Sequence, residues 1–381
     1  MRELLLLWLA GNGLRITILA VPPILALIIL DLNLSGTDVG ILNGIPVALF
    51  ALAAVPGSLL IARVGAVPAL IIGLSITAFG SALRGLAHDT MVLYAATALM
   101  GAGVAFMQPA MPPTVRQWVP NKIGFATALY TNGLLFGEIL PVVFVGGVLA
   151  LTGGSWRASL VFWSVPVAFV ALAIFLFQPG GKSAPVVRPR RWMPDWRDPL
   201  LWKLGLVMAG SNEFYFCTNA FLPGFLLQTD RPEMITPALA ALNIGQLPAS
   251  LMMLAVASRW ERKRWPLVVS ASIALACVPA ILLAPGMWGV AFASAMIGFS
   301  CAIVLTLSLA MPALLVAPDD VPRISAGMFT IGYGVAMLVS LIAGMAWDVT
   351  GKAAFAFLPI AVMVLPMIFL PLFTDYSKRR A

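Results

Sequence analysis

The chain has 381 residues, of which 61% are hydrophobic and only 10% charged, with a formal net charge of +8. A water-soluble domain carries about 25% charged residues, so the composition excludes one and calls for a chain dissolved in lipid. The three cysteines, Cys217, Cys277 and Cys301, all lie in apolar stretches, which excludes a disulfide framework and a cysteine-based metal site.

Twelve apolar stretches of membrane-crossing length follow one another: 4–30, 39–61, 67–86, 91–112, 123–151, 159–177, 200–227, 234–257, 266–284, 287–316, 324–346 and 353–373, here segments one to twelve. Backbone groups in lipid must bond within their own segment, and no alternating pattern of a barrel strand appears, so the prediction is twelve helices. The first stretch is too long for a signal peptide and is read as a retained span.

Segment one carries Asn12 and Arg15. At 1.5 Å per residue Arg15 stands roughly 16 Å from the start, near the middle of a ~30 Å hydrocarbon core. A cation there costs at least about 2.5–3.5 kcal/mol unless it meets water, protein or a counter-ion. Arg15 is taken as the only basic residue buried in this way. Two roles stand open for it. Its planar fork suits a carboxylate or a small linear anion. Alternatively, it forms a structural ion pair with Glu138 or Glu213.

Segment four adds Gln108, and segment five adds Tyr130, Asn132 and Glu138. Residues 178–199, QPGGKSAPVVRPRRWMPDWRDP, are too short and polar for a core and read as a cytoplasmic linker. Segment seven carries the run Ser211-Asn212-Glu213-Phe214-Tyr215, with Asn212, Tyr215 and Asn219 on one helical face and Glu213 beside it. Asn243, Gln246 and Ser250 repeat that spacing in segment eight. A polar stripe is either a cavity wall or glue between helices. The substrate-binding set is Arg15, Gln108, Asn212, Tyr215, Asn12 and Tyr130. Of the fifteen carboxylates only Glu138 and Glu213 lie deep in spans, and these two are the proton-coupling candidates or, equally, counter-ions of Arg15.

The basic excess is distributed by side. With the first residue inside, eighteen Lys and Arg fall in cytoplasmic connections and four, Arg84, Arg157, Arg231 and Lys352, in outer ones. That bias predicts both termini in the cytoplasm, a plasma (inner) membrane location and contact with anionic lipid, and argues against nucleic acid. The halves echo each other: Val119-Pro120 recurs as Val321-Pro322, and Thr152-Gly153 as Thr350-Gly351. The domains expected are therefore a six-helix bundle over 1–177, the linker 178–199, and a second bundle over 200–381, as in carriers built from repeats. The single histidine, His88, reads as a solvated loop residue. No phosphate-binding loop, zincin motif or nucleophile elbow occurs, so neither enzymatic activity nor a cofactor is expected.

The chain resembles the major facilitator superfamily and, within it, the cyanate porter family. The resemblance rests on Asn12 to Arg15 with Pro22-Pro23, Arg116 with Val119-Pro120, Thr127 to Tyr130, Trp156-Arg157, Phe214-Tyr215, Phe221-Leu222-Pro223, Gly332-Tyr333, and Trp347-Asp348 with Thr350-Gly351. It implies an all-α membrane fold of twelve helices in two pseudo-symmetric bundles, and it marks Arg15 as substrate-related. Two departures stand out. The loop 57–65 (GSLLIARVG) lacks the superfamily's usual aspartate, and Glu213 stands where a neutral polar residue is expected.

The function expected is a secondary carrier of a small anion working by alternating access, coupled to protons and active as a monomer. The alternative is a proton-driven exporter of drugs or other neutral-to-cationic compounds, with Arg15 structural. A receptor or scaffold is disfavoured by the absence of a sizeable soluble domain.

Overall fold

The computed structural model describes residues 1–34, 36–179, 192–284 and 286–376. Every predicted segment is helical. Segment three is Ala66–Arg84, four Thr90–Trp118, five Ile123–Leu151, six Trp156–Phe177 and seven Pro199–Gln228. Segment eight is Ile235–Ile244 with Gln246–Trp260, nine Trp265–Leu283, ten Met287–Leu315, eleven Val321–Thr350 and twelve Phe357–Leu372. Polar residues at the water-facing starts cap them: Asp89 accepts from the Val92 amide at 2.8 Å, Ser155 from Ala158 at 3.2 Å, and Asp198 from Leu200 at 2.9 Å.

Among the described residues, ten helices are long and apolar enough to cross a membrane, or eleven when segment two, bent by 53° between Gly44–Leu52 and Ala54–Val64, counts as one. Segment seven has the length, at 30 residues, but its central polar run lowers its apolarity. The described helices separate into two compact units. One holds Met1–Pro194 with Pro318–Ala326, the other Asp195–Ala317 with Gly327–Ala381. Most of the predicted linker, with Lys182, Arg188, Arg190 and Arg191, lies outside the described residues, as do Lys378 to Arg380.

Segment one is not the continuous helix expected. It runs as Arg2–Gly13, breaks at Leu14 and Arg15, resumes as Ile16–Leu19, and continues through a 3-10 turn at Pro22–Ile24 into Leu25–Leu32. The residues before the break, Gly11-Asn12-Gly13, are weak helix formers, and the Asn12 amide group bonds back to the Trp8 carbonyl at 3.1 Å. The Arg15 amide reaches only three residues back, to Asn12 at 3.1 Å. Pro22 and Pro23 then bring no N–H to the carbonyls before them.

A second correction concerns Arg84. Placed in an outer loop by the sequence, it is one of the most buried side chains of the chain, 1% exposed. Arg15 is therefore not the only buried basic residue.

Candidate functional site

Within the first unit, glycine brings segment one against segment five. Gly133 and Gly137 form a small-xxx-small pair, the pattern that lets helix backbones touch in lipid. A Cβ at Gly11, Gly133 or Gly137 would collide with the backbone of Tyr130, Trp8 or Asn12 respectively. Side chains fix the register: Trp8 Nε1 donates to Asn132 Oδ1 at 3.0 Å. Glu138, directly after the second glycine, is thereby delivered to the break in segment one.

There Arg15 Nε lies 3.4 Å from Glu138 Oε1, with side chains 12% and 20% exposed. The guanidinium also covers the Phe50 ring of segment two, 5.7 Å from its centroid. Glu138, then, is the carboxylate that meets Arg15. Both side chains of the pair are mostly buried, with a small part of each left exposed. Asn12, 7% exposed, leaves its Oδ1 without a hydrogen-bond partner among the described residues. Tyr130 and Gln108 are buried, at 2% and 6%.

Arg84 approaches the same stretch from segment three. Its Nη2 donates to the Thr17 carbonyl at 2.7 Å and to Ser81 Oγ at 2.9 Å. Farther along, Asp31 takes Arg157 Nη1 at 2.8 Å and Trp156 Nε1 at 3.3 Å, which ties the end of segment one to the start of segment six.

The other three named residues belong to the second unit. Tyr215 donates its hydroxyl to Asn243 Oδ1, whose amide in turn donates to Asn219 Oδ1 at 3.3 Å. This network joins segments seven and eight, the work of glue. Asn212 is 5% exposed and its Nδ2 finds no partner among the described residues. Glu213 is fully buried. The Cys217 thiol, one turn on, is close enough to touch its carboxyl, but neither oxygen meets a nitrogen or oxygen donor among the described residues.

Sequence reasoning missed Trp8, Phe50 and Arg84. Only Arg84 left a signal, a basic residue at the edge of an apolar run.

The model of the Major Facilitator Superfamily matches residues 4–236. The cyanate transport protein of Escherichia coli (strain K12) is 25% identical over 97% of this chain and 97% of its own length. The 2-nitroimidazole transporter of the same organism is 26% identical over 57% of this chain and 55% of its own. Among solved structures, the proton:xylose symporter superposes with a TM-score of 0.75 at 13% identity, covering 98% of this chain and 94% of that one. The human organic anion transporter of the same fold gives 0.75 at 15% identity, covering 97% and 99%. The twelve-helix fold expected from the sequence is the fold of these structures.

Proposed function

The chain belongs to the major facilitator superfamily and is an integral membrane transporter, not an enzyme; from that premise we propose that it is a secondary active carrier of a small anion, bound at Arg15. One observation carries the reading: Arg15 stands at a break in its helix, held by Glu138 at 3.4 Å and still partly accessible. A permanently charged fork kept at that depth is costly, and a carboxylate that holds it until a solute carboxylate or linear anion arrives offsets the cost. Asn12, whose Oδ1 has no hydrogen-bond partner among the described residues, and buried Tyr130 and Gln108 complete the first unit's wall. Asn212 is kept as a candidate within the second unit, where Tyr215 serves the network with Asn243.

Coupling follows from the same exchange. A carboxyl displaced from its partner is ready to take a proton, so Glu138 is the first coupling group and Glu213 the second. The two bundles, 1–177 and 200–381, work by alternating access in the plasma membrane, with both termini cytoplasmic and the monomer as the functional unit. The cyanate transport protein among its relatives supports an anion over a cation.

The test is uptake by purified protein in liposomes under an imposed pH gradient, with radiolabelled cyanate, formate and nitrate set against cationic dyes. Saturable uptake of at least one anion is expected. Extrusion of the cations with no anion uptake would overturn the reading in favour of a proton-driven drug exporter.

A further inference from the structure

We propose that Cys217 and Ser340 are the proton path of Glu213: the thiol stands between the buried carboxyl and a partly exposed hydroxyl, and protons reach and leave Glu213 through the two of them. The proposal rests on the reading of Glu213 as a coupling group.

Glu213 is fully buried, and its two oxygens meet no nitrogen or oxygen donor among the described residues. A carboxyl that exchanges a proton from such a place needs neighbours able to pass one on. Among the described residues the titratable groups that face it are two thiols. Cys217 lies four residues on, on the same helical face, with its sulfur against the carboxyl. Cys301 approaches from segment ten, which is fixed there by the Ser211 hydroxyl donating to the Cys301 carbonyl at 2.9 Å.

The two thiols differ in where they lead. Beyond Cys301 stand Ser211 and Cys277, both buried, so that side ends inside the bundle. Beyond Cys217 stands the Ser340 hydroxyl of segment eleven, which is partly exposed. Helix packing fixes this contact independently. Segments seven and eleven run side by side in one direction: a Cβ at Gly205 would collide with Ile331, and one at Gly224 with Trp347. Cys217 and Ser340 stand seven residues, two helical turns, before Gly224 and Trp347 respectively. The close approach of Gly224 to Trp347 therefore recurs at Cys217 and Ser340.

A relay member must accept one proton while giving up another. A thiol and a hydroxyl can do both. In loading, Ser340 Oγ takes a proton from water as its own passes to Cys217 Sγ, and the thiol proton passes to the Glu213 carboxylate. One bond to hydrogen forms for each that breaks. The thiol and the hydroxyl end as they began, and Glu213 alone changes, from carboxylate to carboxylic acid. Unloading runs the same steps in reverse.

Infrared spectroscopy of the full chain in liposomes tests this without any solute. The protonated Glu213 carboxyl is the C=O stretching band that Glu213→Gln lacks, and its shift after a change from H2O to D2O times proton exchange at that group. Cys217→Ala and Ser340→Ala should each slow the shift at least about tenfold, as the loss of a positioned proton-transfer group does. Cys217→Ser keeps a group that donates and accepts, and should exchange near the wild-type rate. Exchange at the wild-type rate in either alanine variant overturns the proposal, as does a Cys217→Ser protein as slow as Cys217→Ala. Should Cys217→Ala fail to fold, Ser340→Ala cuts the same path at its partly exposed end. A wild-type spectrum with no carboxyl band that depends on Glu213 at any pH overturns the coupling reading of Glu213 instead, and this proposal falls with it.

Discussion

Segment one breaks at Arg15 and sets that residue 3.4 Å from Glu138, whereas segment seven runs unbroken through Glu213 and gives its two oxygens no nitrogen or oxygen donor among the described residues. Each is the first membrane helix of its unit. A guanidinium cannot shed its charge, so the first unit surrounds it with a carboxylate, an aromatic ring and an opened backbone. A carboxyl can exist uncharged, so the second unit encloses one in an intact helix beside thiols. Under the proposed function the first arrangement is the one a charged solute enters, and the second stays shut around a group that changes only by a proton.

The largest predicted effect breaks the first arrangement at its foundation. Gly137→Leu drives a side chain into the Asn12 backbone and should destabilise the protein by about 3 kcal/mol, read as a lower melting temperature in detergent. Gly147→Ala, where a Cβ meets nothing within 4 Å, is the control and should leave the melting temperature in place.

Next, neutralising the two acids should separate them. Glu138→Gln leaves Arg15 without its counter-charge and should cost about 1–3 kcal/mol, discounted for the partial exposure of the pair. Glu213→Gln places an amide where no cation among the described residues pairs with the carboxylate, and should cost less. Equal losses in thermal unfolding would erase the contrast. Proton dependence sharpens it. Anion uptake should lose its dependence on the pH gradient in at least one of the two variants. Undiminished dependence in both removes them from the coupling.

The smallest effect falls on the polar network of the second unit. Tyr215→Phe deletes the hydroxyl that holds Asn243 and should cost about 0.6 kcal/mol, the average for one hydrogen bond between membrane helices. Loss of transport with stability intact would return Tyr215 to the binding wall.

The helices were legible because length and lack of charge are properties of a stretch by itself. The depth of Arg15, Glu138 and Glu213 could be read from the rise per residue, but not which carboxylate meets Arg15, since depth says nothing about which helices are neighbours. The Gly133–Gly137 pair carried that information and marks segment five as a close-packing face. Arg84 was misplaced because the end of an apolar run looks the same whether it enters water or folds back against another helix. The break in segment one was written in Gly11, Gly13 and Pro22-Pro23, residues that membrane helices also tolerate without breaking. Trp8 and Phe50 act across helices and leave no mark in their own.

The central claim is that Arg15 holds the solute. It is tested most directly by anion uptake into liposomes containing Arg15→Lys, which keeps the charge and loses the two-pronged fork. The account predicts uptake at least about tenfold below wild type, since a charge-assisted hydrogen bond is worth about 1.5–3 kcal/mol. Anion uptake at the wild-type rate by a folded Arg15→Lys protein would contradict it.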